Sequence, residues 1–154
     1  NDLKKMIPYL ENCDMVVGTR QVQTLTEKGN QNSMFYVWGN MLLAKLLQLK
    51  YFSLLHLGIV QLTDVGCTYR CVRRDALEKI IDELTNPTDL SILKPKNWLF
   101  SLYMTMLAIE NDLKIVEIPL TFRKRGIGES KSEVTKKSKG FVYGMKFLWF
   151  ILKR

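Results

Sequence analysis

Hydrophobic positions change period several times along the chain, and each change marks an expected element. Leu3, Ile7 and Leu10 recur at helical spacing, with Pro8 tolerable in a first turn. Residues 14–17 then read as a short buried strand leading into a glycine turn at Gly18. Residues 21–32 are polar and loop-like, and Ser33 is placed to cap a helix reaching about Lys50. Val37, Met41, Leu42 and Leu46 mark its apolar side, and Trp38, in the same run, reads as core. Residues 59–73 are rich in β-branched and aromatic side chains, as a strand broken at Gly66 would be. Asp75 is the expected N-cap of a helix ending near Leu84. After a proline-containing loop at 85–97, residues 98–110 are apolar on most sides, the mark of a buried helix with Trp98 in the core. Lys114–Phe122 alternates as a strand does, with Pro119 marking an edge or a bulge. The order strand, helix, strand, helix, helix, strand predicts α/β layering.

Residues 138–154 form a last helix. Lys139, Lys146 and Lys153 share one side, while Phe141, Met145, Leu148, Trp149 and Leu152 cover another. A basic stripe beside Trp and Phe suits an anionic membrane surface, against the plainer reading of a helix that packs on the core and a third, the stub of a juxtamembrane helix. The expected organisation is one domain over 1–137 followed by this amphipathic helix.

Charge sharpens that picture. Residues 1–122 hold 13 basic and 13 acidic side chains, whereas 123–154 hold 10 basic and 2 acidic, so the net +8 lies wholly in the last segment. A neutral body with a basic end fits an anionic partner met at one face. The basic residues gather in one turn and one tail, and the aromatics mostly follow buried-helix spacing, so a nucleic-acid partner is not expected. With 47% hydrophobic residues the chain is too apolar to be disordered, and no stretch reaches the roughly 20 apolar residues that span a bilayer. The odd set Cys13, Cys67 and Cys71 argues against a disulfide framework. The spacing of Cys67 and Cys71 is not that of a zinc knuckle, so buried thiols are expected there. The lone His56 reads as structural.

Candidate chemistry concentrates in 122–131, Phe-Arg-Lys-Arg-Gly-Ile-Gly-Glu-Ser-Lys. A strand end delivers three cationic side chains into a turn with two glycines, which let the backbone approach an anion closely. Arg125 can grip a phosphate with two N–H groups, and Ser130 and Lys131 add a donor and a point charge. The alternative is a solvated basic loop.

Phe122, Arg125, Gly128, Ser130 and Lys131 form a pattern that resembles the C-terminal signature of family 2 glycosyltransferases of the dolichyl-phosphate mannosyltransferase type. Glu117-Ile118-Pro119 is similar to that family's edge-strand motif. Gly18-Thr19-Arg20 is similar to its Gly-Ser-Arg step, and the run from Asp64 to Arg70, with Arg73 to Leu77 after it, to its Asp-to-Arg segment. The four islands occur in family order across 14–131. The resemblance implies the C-terminal part of a GT-A fold, a mixed sheet flanked by helices, in an inverting enzyme. Its donor would be a nucleotide sugar and its acceptor a polyprenyl or dolichyl phosphate. Arg125 would act on the leaving phosphate, with Arg20, Lys28, Ser130 and Lys131 binding phosphate groups. Asp64 would be the general base if the acceptor were a hydroxyl; its plainer reading is a carboxylate ordering Arg70 or a turn. A divalent cation, Mg2+ or Mn2+, is implied too, with ligands in an Asp-x-Asp motif expected upstream of Asn1. The expected location is the cytoplasmic face of a membrane, peripheral or tethered by segments outside this chain.

Departures from the pattern limit the expectation. The Asp-x-Asp motif is absent, the loop after Arg20 offers only Lys28, and Ser101–Thr105 lacks the family's acidic residue. The chain opens at Asn1 within a helical pattern, so a piece of a longer protein, inactive alone, is expected. The competing readings are a non-catalytic basic module binding anionic membrane or RNA, and a pseudoenzyme relative without a donor site.

Overall fold

In the structure, a computed structural model, residues 2–22, 25, 34–52, 60–87, 99–121, 123 and 137–154 are described. Five successive buried residues, Met15–Thr19, form the central strand β1. Arg70–Val72 (β2) pairs with it antiparallel and Ile115–Pro119 (β3) parallel, giving the order β2-β1-β3. Val17 lies between Arg70 on one side and Glu117 on the other. This is a small mixed sheet within an α/β layering, as the element order predicts.

The pleat sends alternate residues to two different cores. Met15 and Val17 pack with Ala76, Ile80 and Leu84 of α3 (Arg74–Thr85) and with Tyr103 and Leu107 of α4 (Leu99–Glu110). Val16 and Ile118 pack on the other face with Met6 of α1 (Asp2–Met6) and Cys13. A 3-10 helix, Ile7–Glu11, follows α1 with Pro8 in its first turn. A third core joins α2 (Met34–Lys50) to α4 and to α5 (Lys137–Lys153) through Leu43, Leu47, Leu102, Met106, Phe147 and Ile151. Helices α2 and α5 run parallel: Tyr36 lies against Gly140 near their starts, and Lys50 Nζ donates to the Ile151 carbonyl near their ends.

Several expectations are corrected. Gly18 is not a turn but a strand residue; a Cβ there would stand 2.2 Å from Leu120 Cδ1, so glycine is what lets Leu120 pack onto β1. In α1 and the 3-10 helix, Leu3 and Ile7 are exposed and Met6 is the buried anchor. Trp38 is not core but 64% exposed, and Met41 and Leu42 are exposed with it, because α2 turns Leu43, Ala44 and Leu47 inward. Within 60–73 only Arg70–Val72 is strand. The N-cap of α3 is Arg73, not Asp75; Asp75 sits in the first turn and pairs with Arg73 instead. There its charge is favourably placed against the helix dipole. Cys13 and Cys67 are buried, Cys71 is half-buried, and all three are free thiols. Ser33, His56 and Trp98 lie outside the described residues.

Candidate active site

Because β1 and β3 are parallel, their carboxyl ends open at the same edge of the sheet, the usual place for a ligand in α/β folds. Arg20 follows β1 directly. Leu120, following β3, donates its N–H to the Thr19 carbonyl at 2.9 Å, so the chain leaves β3 beside the residue that precedes Arg20. Lys28, Arg125, Ser130 and Lys131 themselves lie outside the described residues.

Asp64 is 1% exposed, and its partner is Arg20, not Arg70. Arg20 Nε donates to Asp64 Oδ2 at 2.8 Å and Nη2 to Oδ1 at 2.9 Å, a two-pronged grip. The Arg20 backbone N–H also reaches Oδ2, and Gly66 N–H donates to Oδ1 at 3.2 Å. The carboxylate thus orders the 64–66 turn while holding a guanidinium at the strand end. Burial disfavours the Arg20 charge, but hydrogen bonding and attraction from Asp64 outweigh it and raise the pKa of the guanidinium. The Gly66 Cα lies between this pair and α2: a Cβ there would meet Asn40 Oδ1 at 3.4 Å and Arg20 Nη2 at 3.7 Å.

Beneath the pair lies a second cation. Arg70 shares the pleat face of Val17; its Nε donates to the Cys67 carbonyl at 3.1 Å and its Nη1 to Thr105 Oγ1 at 2.6 Å. Its Nη2 is buried with no hydrogen-bond partner among the described residues. Burial pulls the Arg70 pKa down to about 10, with weaker opposing attraction from Cys67 and Asp64.

A residue that sequence reasoning treated only as part of the Glu-Ile-Pro motif proves to join the site. The Glu117 carboxylate accepts from Thr63 N–H at 2.9 Å, Asp64 N–H at 2.9 Å and Thr63 Oγ1 at 2.8 Å. The Thr63 hydroxyl also lies 2.9 Å from Thr19 Oγ1. Along 114–122 the alternating apolar residues are Val116, Ile118, Leu120 and Phe122, so Glu117 falls on the more polar face and the pattern alone does not single it out.

Among the described residues, no group of three or more His, Cys, Asp or Glu side chains is arranged to hold a metal ion. Asp64 and Glu117 are engaged by Arg20 and by backbone donors, so the residues seen here do not form a cation site.

With this geometry in hand, comparison with known proteins gives the kinship. No family model matches the chain, and no solved structure matches it. By sequence, however, the chain is a homologue of glycosyltransferases, of the type its four motifs resemble. It is 33% identical over 119 residues to the polyprenol monophosphomannose synthase of Mycolicibacterium smegmatis, covering 77% of this chain and 38% of that protein. It is 28% identical over 131 residues to the undecaprenyl-phosphate mannosyltransferase of Micrococcus luteus, covering 84% of this chain and 46% of that protein. The chain thus spans less than half the length of either relative.

Proposed function

We propose that this chain forms the acceptor-side part of an inverting GT-A glycosyltransferase that moves a sugar from a nucleotide sugar to a polyprenyl phosphate. The observation that carries the reading is the Arg20–Asp64 pair at the carboxyl ends of two parallel strands, with Leu120 bonded to Thr19 just beyond β3. The names of the two homologues point to the same acceptor class.

The chemistry needs cations more than a base. An oxygen of the lipid phosphate attacks the anomeric carbon and forms the new C–O bond. The bond to the nucleoside diphosphate breaks, and its electron pair leaves with that phosphate. No proton has to be removed from an already ionised acceptor. Two phosphate groups must instead be held together against their repulsion, and fixed guanidinium groups supply that at the point where charge develops. In this reading Arg20, Lys28, Ser130 and Lys131 hold phosphate oxygens and Arg125 faces the leaving group. Asp64, buried and gripped by Arg20, holds that arginine in place; the base role belongs to a hydroxyl acceptor. The divalent cation that the resemblance implies is assigned to none of the described residues.

A membrane surface fits the outer side of the molecule. Helix α2 exposes Phe35, Trp38, Leu42 and Leu49, and α5 exposes Phe141, Met145, Trp149 and Leu152. On α2 the residues facing α5, Tyr36 and Lys50, each follow a stripe residue by one position. On α5, stripe residues Phe141 and Leu152 each follow a contact residue, Gly140 or Ile151, by one. One position is about 100° of rotation, so in parallel helices both stripes turn to the same side of the pair. Lys146 and Lys153 on α5 are exposed, while the side chain of Lys139 lies outside the description. Two tryptophans amid apolar residues, beside lysines, match the chemistry of an anionic lipid surface. No described helix is long and apolar enough to cross a membrane.

The test is radiolabelled sugar transfer to polyprenyl phosphate by membranes containing the full gene product. Arg20→Ala and Arg125→Ala are each expected to lower kcat/KM by about 10²-fold, the first by weakening the hold on phosphate and the second by removing a transition-state donor. Full activity in both variants would sink the reading.

A further inference from the structure

We propose that Glu117 is a positioning residue of this site: from β3 it fixes the Thr63–Asp64 backbone so that Asp64 presents both oxygens to Arg20. The proposal rests on the phosphate-transfer reading above and adds a residue that reading does not use.

The contacts form a chain from strand to cation. Thr63 N–H lies 3.0 Å from Glu117 Oε1 and 2.9 Å from Oε2, Asp64 N–H donates to Oε1 at 2.9 Å, and the Thr63 hydroxyl donates to Oε2 at 2.8 Å. Two successive backbone amides aimed at one anion form a short, strong clamp. Parallel pairing with β1 sets Glu117 opposite Val17, so the clamp is anchored in the sheet that also positions Arg20. Beyond it, Asp64 Oδ1 takes Gly66 N–H, and its two oxygens take Arg20 Nε and Nη2. Segment 63–66 contributes no strand to this sheet, so its place depends on side-chain contacts of this kind.

The hydrogen bonds also say what Glu117 does not do. Both oxygens face backbone or hydroxyl donors, so neither is directed to take a proton from an acceptor. A glutamine can reproduce most of the arrangement: its carbonyl oxygen accepts both amides, and its amide nitrogen donates to the Thr63 hydroxyl, which can reverse its bond toward Thr19 Oγ1. An aspartate keeps the charge but is one methylene short of the clamp.

The order of variants is therefore diagnostic. In the full gene product, with farnesyl phosphate as the acceptor probe, Glu117→Gln should stay within about threefold of wild-type kcat/KM. Glu117→Asp and Glu117→Ala should each fall by at least about tenfold, chiefly through a higher KM for the acceptor. In an Arg20→Ala background, Glu117→Ala should cost less than about twofold more, because the two residues act in series. Glutamine as damaging as alanine, or an undiminished alanine effect in the Arg20→Ala background, would overturn the proposal. Should Glu117→Ala fail to fold, the order of Gln above Asp decides alone, since a role of charge predicts the reverse. If the wild-type protein transfers no sugar, the functional reading fails and the clamp is judged by NMR. Exchange of the Arg20 Nε–H should then be at least about tenfold faster in Glu117→Asp than in wild type or Glu117→Gln. Equal exchange rates would refute the clamp itself.

Discussion

Asp64 and Arg20 were each visible as candidates, yet they stand 44 positions apart and nothing in their local spacing says that they pair. Arg70, six residues from Asp64, was the nearer partner by sequence. The pleat instead places Arg70 on the face of Val17, where it reaches α4, while the 64–66 turn brings Asp64 over the end of β1. Gly18 shows the same limit. The sequence supports a turn there, but the strand runs on and the missing side chain makes room for Leu120. Replacing Gly18 with alanine forces that buried leucine away from β1. We expect a loss of about 1–3 kcal/mol in denaturant unfolding, the usual cost of overpacking. An unchanged midpoint would show that Leu120 moves aside freely.

The two glycines of α5 give an internal contrast. A Cβ on Gly140 would lie 2.6 Å from Tyr36 Cε1, whereas one on Gly144 would meet nothing within 4 Å. Gly144→Ala should raise stability by about 0.5–1 kcal/mol through helix propensity, and Gly140→Ala should lower it by prising α5 from α2. Thermal melts of the two single variants check both signs. The end of α5 is fastened separately: Arg154 Nη2 bonds Glu110 Oε2 at 2.7 Å and Glu83 Oε2 at 3.2 Å, and the Tyr51 hydroxyl donates to Glu110. Burial pushes the Glu110 carboxyl up, yet hydrogen bonds from Arg154 and Tyr51 bring it below its ordinary value. A depressed carboxyl contributes stability that is complete above its unfolded pKa and is lost as pH falls through the folded one. The stability gap between wild type and Glu110→Gln should therefore be open at neutral pH and close as pH falls below the ordinary range of a glutamate carboxyl. A gap that persists at low pH would exclude the ion pair as its source. Elements themselves were largely legible here: α4 and α5 fall within a residue of their expected positions, while β3 begins one residue later than expected and stops at Pro119, three short of Phe122. The inward face of α2 was not, because apolar residues lie almost all round it and only packing against Leu102, Met106 and Ile151 selects Leu43 and Leu47.

Across the molecule, two helices far apart in sequence present their apolar stripes to one side, with Trp38 64% and Trp149 67% exposed. If that side meets lipid, the chain should partition onto vesicles containing phosphatidylglycerol more strongly than onto pure phosphatidylcholine. Added salt should weaken binding without abolishing it, since burial of the aromatic residues remains. Trp38→Ser and Trp149→Ser should each lower partitioning by roughly fivefold to tenfold and leave the melting temperature nearly unchanged, because neither ring is in the core. Flotation assays with both vesicle types check this. Equal binding by the double variant would remove the α2–α5 surface from consideration.

The kinds of element, their order and the basic 122–131 signature were fixed by local pattern, because periodicity, turn chemistry and charge are properties of neighbours along the chain. The Arg20–Asp64 pair, the Glu117 clamp and the shared side of α2 and α5 were decided by tertiary structure. Strand register and helix direction choose which of several equally polar or equally apolar side chains meet, and that choice depends on residues dozens of positions away.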